Sequence, residues 1–123
     1  MARAKIPDAD GRAHVRRALA AAATLDDTAM ATRYLLQVLA ERAEGNTVEV
    51  RVPPFGAVQA IKGPRHARGT PPNVIETDAA TWLALATGSL SWAAAIAAGA
   101  VLASGQRADL SAHLPLQWET MGE

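Results

Sequence analysis

The apolar positions change period partway along the chain. Val15, Leu19 and Ala22 recur at helical spacing, with Arg12, Arg16 and Arg17 on the other side, which predicts a helix over about Asp10 to Ala23. A second helix is predicted from about Asp26 to Ala43. Thr24 is its N-cap, with Asp27 three positions on in a capping-box arrangement, and Gly45-Asn46 is its stop. Ala31, Leu35, Val38 and Leu39 form its inner stripe, flanked by Tyr34 and Leu36. From Thr47 the period becomes two: Val48, Val50 and Val52 alternate with Glu49 and Arg51, the pattern of a half-buried strand. Pro53-Pro54 breaks this run, Phe55 to Ile61 resumes it, and a tight turn between them makes the two an antiparallel pair.

The second half alternates short elements with caps. Residues 63–72 form a loop rich in Pro and Gly, and Asn73 to Thr77 reads as a strand around Val74 and Ile75. Asp78 caps a helix over Ala79 to Thr87 that Gly88 closes, and Ser91 caps another over Trp92 to Ala98 that Gly99 closes. Ala100 to Ser104 is expected to be a final buried strand, and Gln106 to His113 a last short helix. Strands grouped in the middle with helices on either side predict one α+β domain over residues 1–123. Its sheet is antiparallel-rich, with four strands marked in the sequence, and covered on one face by helices.

Composition narrows the function classes. Half the residues are hydrophobic, but 29 of the 123 are Ala, so the core is thin or built from closely packed helices. Lys+Arg equals Asp+Glu at 12 each, which removes a global electrostatic case for nucleic acid. The absence of Cys excludes disulfides, thiolate metal sites and a Cys nucleophile, and it fits a cytoplasmic protein. Residues 79–106 carry no charge, a length that suffices for a bilayer. Their Ala, Ser, Thr and Gly content argues against stable membrane insertion.

Chemistry-bearing motifs are few. There is no nucleophile elbow, phosphate loop, dinucleotide fingerprint or His-Glu-x-x-His. His14, His66 and His113 lie too far apart to read as a metal set, and no cofactor is implied. Asp78 and Ser91 read as helix caps rather than catalytic groups. One polar cluster stands out: Lys62, Arg65, His66 and Arg68, with no acid among them, offer an anion site. Arg65 and Arg68 converge on one anion only if the chain turns at His66-Ala67; the plainer alternative is that these Arg pair with the domain's own carboxylates, such as Glu49 or Glu76, or face water. Trp82 and Trp92 anchor the Ala-rich helices against the sheet or rim an apolar cavity.

The stretch from Asn73 to Leu116 orders strand, Asp-capped helix, Gly88, second helix, Gly99, strand, Gly105 and closing helix. With the block from Val52-Pro-Pro-Phe-Gly-Ala-Val-Gln to Gly69-Thr-Pro-Pro-Asn-Val, it resembles a bacterial branch of the sterol carrier protein type two family over about residues 27–116. The resemblance implies a twisted, mostly antiparallel sheet of four to five strands covered on one face by helices, a lipid-binding tunnel between them, and no common catalytic residue. On that reading the protein is a non-enzymatic binder of a lipid or other apolar ligand. Leu35, Leu39, Phe55, Val58, Trp82, Leu85, Trp92 and Ile96 line the space, and Arg65, His66 and Arg68 hold an anionic group at its mouth. The alternative is an interaction module, such as a homodimer, whose cavity is filled by its own side chains.

Overall fold

The structure is a computed structural model that describes residues 4–64 and 72–123. The chain runs α1 (Asp8–Ala18), α2 (Leu25–Arg42), β1 (Val48–Val52), β2 (Gly56–Ala60), β3 (Asn73–Thr77), α3 (Ala79–Thr87), α4 (Trp92–Ala97) and β4 (Val101–Ser104), then a single 3-10 turn at Ser111–His113. The sheet order is β2-β1-β3-β4. β1–β2 and β3–β4 pair antiparallel, while the central β1–β3 pair is parallel, with Val50 opposite Ile75. This is the expected α+β architecture, with an open mixed sheet of four strands.

Helix ends follow from local chemistry. Thr24 Oγ1 accepts from the Asp27 N–H at 3.0 Å, and the Thr24 N–H donates to the Asp27 carboxylate at 3.2 Å, so the capping box is formed. Asp78 and Ser91 cap α3 and α4 by accepting from the Thr81 and Ala94 N–H groups. Gly88 closes α3 in the left-handed region at φ 93°, where a side chain would clash with its own backbone.

The inner face of the sheet carries Val48, Val50, Val52, Ala60, Ile75 and Val101, all buried. α2 lies over it with Tyr34, Leu35, Val38 and Leu39 fully buried, and α3 adds Trp82, Leu85 and Ala86. α1 packs on α2 through Val15 and Gly11, and Gly11 sits directly over the Tyr34 ring.

Three expectations are corrected. The first helix ends at Ala18 rather than Ala23, because Leu19 is 52% exposed and no apolar surface holds a further turn in place. The last strand is buried at Val101 alone; β4 is a sheet edge, and Leu102 is 69% exposed on the uncovered face. The closing helix shrinks to Ser111–His113, and the chain then runs past α3, where the N–H of buried Leu116 donates to the Ala86 carbonyl, to α1 and α2, where Arg16 lies over buried Trp118 and Arg42 reaches the Gln117 carbonyl.

Candidate functional site

Between α2 and the β1–β2 hairpin lies a groove of about 730 Å³, open to solvent along one side. This volume falls within the roughly 300–1,000 Å³ of small-molecule sites. Its apolar wall comes from Ile6, Met30, Leu36, Phe55 and Val58. The hairpin positions two of these: the Pro53–Pro54 turn delivers Phe55, and the strand period then turns Gly56 and Val58 toward α2. A Cβ on Gly56 would touch Leu36 and Arg33 at ordinary distances of 3.5 and 3.7 Å, so β2 and the helix approach closely here.

The polar groups at the groove are Lys5, Arg33 and Gln37. Arg33 Nε donates to the Phe55 carbonyl at 2.9 Å, which ties the hairpin tip to the helix. Its Nη1 lies 3.8 Å from the Met30 sulfur, and among the described residues Arg33 pairs with no carboxylate. A guanidinium fixed at one nitrogen and short of acceptors at the others is suited to a carboxylate or phosphate. Lys5 Nζ meets Glu41 at 2.8 Å; that carboxylate's hydrogen bond and charge raise the Lys5 pKa above its ordinary value.

A charged cluster sits at the α1–α2 junction. The Asp27 carboxylate, buried at the first turn of α2, accepts from Arg17 Nε at 2.9 Å and faces His14 Nδ1 at 3.2 Å. Arg17 and then the Thr24 N–H hold Asp27 well below the usual carboxylate range. Among the described residues no group of three or more His, Asp or Glu is placed to hold a metal ion. Among them, too, no helix is long and apolar enough to cross a membrane.

The structure distributes the sequence-predicted residues over several environments. Phe55 and Val58 line the groove. Leu35, Leu39, Trp82 and Leu85 lie in the core behind it, and Trp82 Nε1 donates to the Thr32 carbonyl at 3.3 Å. Leu85 and Trp92 border a second hollow of about 360 Å³, with Leu90, Leu114 and Pro115. Ile96 is 42% exposed on α4. Arg65, His66 and Arg68 lie outside the described residues. Sequence reasoning did not single out Ile6, Met30, Leu36, Arg33 or Gln37 as site residues. The available signal was Met30, Arg33 and Gln37 at i, i+3 and i+7 on one face of α2, a stripe of mixed polarity beside the apolar one.

Helices layered on one face of a mixed four-stranded sheet, with an apolar groove at the helix–hairpin junction, define a domain of the α+β class. Residues 24–116 match the family described as the bacterial SCP ortholog, and the chain belongs to that sterol-carrier-like family. No curated protein matches the sequence.

Proposed function

We propose that this protein is a non-enzymatic carrier or sensor of a lipid-like ligand, an apolar chain bearing a carboxylate or phosphate, and that the groove at the α2–hairpin junction is its site. The observation that carries the reading is the pairing of an apolar wall with the Arg33 guanidinium, within the part of the chain that matches the sterol-carrier-like family. Phe55, Val58, Met30 and Leu36 take the chain, and Arg33 takes the acidic group. Leu35, Leu39, Trp82 and Leu85 belong to the buried core rather than to the groove, and Leu85 and Trp92 border the separate hollow beside α4. The sequence-predicted cations Arg65, His66 and Arg68 fall in the β2–β3 connection, outside the described residues. Burying methylene groups contributes about 0.8 kcal/mol each before the cost of association, enough for micromolar binding of a long acyl chain.

Displacement of a fluorescent fatty acid tests this. Saturable micromolar binding is expected. Arg33→Gln is expected to weaken it by about tenfold, as the loss of a charge-assisted bond would, and Phe55→Ala to weaken it comparably. Absence of saturable binding, or binding that both variants leave untouched, would overturn the reading. The double variant Arg65→Gln with Arg68→Gln measures separately what that connection adds.

A second reading has its own observation. α4 exposes Ala93, Ala94, Ile96 and Ala97 with no charge among them. An uncharged apolar face of this kind suits contact with a second copy of the chain. Light scattering that finds a stable dimer without lipid binding would favour this reading over the first.

A further inference from the structure

The segment Ala4–Pro7 precedes α1, and it also precedes the family-matched residues, which begin at residue 24. It nonetheless forms part of the groove wall. Ala4, Lys5 and Ile6 border the groove and also a neighbouring hollow of about 410 Å³ against α1, and Met30 is common to both. The segment is therefore a wall common to two hollows, one reaching the hairpin and the other Asp10, His14 and Arg17.

Its attachment is concentrated at one residue. The Gln37 carboxamide receives the Ile6 N–H at Oε1 and donates from Nε2 to the Ile6 carbonyl, each at 2.9 Å. The half-buried Ile6 side chain packs against the core, and the Lys5–Glu41 pair at 2.8 Å is exposed to solvent. One carboxamide thus satisfies both backbone groups of a residue that belongs to no sheet ladder. An attachment this small lies at the low end of the local-opening scale, well below the cost of opening the core.

We infer that Ala4–Pro7 is a gate over the binding groove, latched by Gln37. With the latch closed, the groove and the α1 hollow are separate. With it open, they join into one longer channel over Met30. A ligand long enough to fill the joined channel binds the open form better, so it competes with the latch, and anything that weakens the latch raises the apparent affinity. The identity of the ligand rests on the proposed lipid-binding function; the opening itself does not.

The chain has no Cys, so Met30→Cys places a single reporter thiol at the wall shared by both spaces. Its reaction rate with a thiol reagent is measured in the full chain, alone and combined with Gln37→Leu or Ile6→Ala. Fluorescent fatty-acid binding is measured in parallel without the reporter. Gln37→Leu adds apolar lining and Ile6→Ala removes it, so the two shift affinity in opposite directions if lining alone matters. The gate predicts faster labelling in both combinations and tighter binding in both variants, up to about tenfold for a latch open a tenth of the time. Unchanged labelling, or affinities that move apart with the lining, would overturn it. Faster labelling in both combinations with no fatty-acid binding in any protein would uphold the gate and overturn the lipid-binding reading of the groove.

Discussion

At the residue scale, α1 is fixed to the domain by the fit of Gly11 on Tyr34. A Cβ at Gly11 would overlap the ring, and the ring is fully enclosed with its hydroxyl donating to Asp8 at 2.9 Å. Gly11→Ala is therefore expected to destabilise by about 1–3 kcal/mol, the range for overpacking a tight contact, seen as a lower midpoint in urea. The same burial, reinforced by Asp8, pushes the Tyr34 hydroxyl up to about 12. A raised pKa means that the folded state disfavours the phenolate. The resulting stabilisation is complete below the unfolded value of about 10 and is lost as pH rises toward 12. Unfolding followed by circular dichroism is expected to show an alkaline loss over that window, reduced in Tyr34→Phe. An alkaline limb unchanged in Tyr34→Phe would remove this residue from the account.

At the element scale, the legible features were those written in neighbouring residues. The Thr24–Asp27 box, the Asp78 and Ser91 caps and the alternation of Val48, Val50 and Val52 each need only a few consecutive positions, and the structure has all of them. Features set by distant partners were not legible. Whether β4 is central or at an edge depends on what pairs beside it, and its short apolar run reads alike in both cases. The end of α1 depends on where α2 stops offering apolar surface, which the run Ala20–Ala23 does not reveal. Thr24→Ala is expected to cost about 1 kcal/mol in thermal or urea unfolding, the usual loss for an N-cap. Asp27 adds a pH signature of opposite sign to that of Tyr34. Its lowered pKa gives stability that is present above the unfolded value of about 3.9 and is lost as pH falls through the folded one. Asp27→Asn is expected to flatten the acid limb of the stability profile while lowering stability at neutral pH. An acid limb of unchanged slope would place the acid sensitivity elsewhere.

At the scale of the whole molecule, the candidate site is assembled from three separated parts of the chain: the N-terminal segment, the middle of α2 and the hairpin tip. The pattern of bulky apolar residues marked the core, since Leu35, Leu39 and Trp82 are where a helix-on-sheet layer meets its floor. A groove borders such a core rather than occupying it. Its lining is of mixed burial and mixed polarity, and Arg33 and Gln37 resemble a solvated helix face until the hairpin and the segment Ala4–Pro7 are brought beside them. The central claim is that this groove, rather than the hollow beside Trp92, receives the ligand. Titrating palmitate into isotopically labelled protein and following the backbone amide resonances tests it most directly. The account predicts saturable shifts that cluster at Ile6, at residues 30–37 and at residues 55–58, and that fade in Arg33→Gln. Shifts centred on Leu85, Leu90 and Trp92, or none at palmitate's solubility limit, would contradict it.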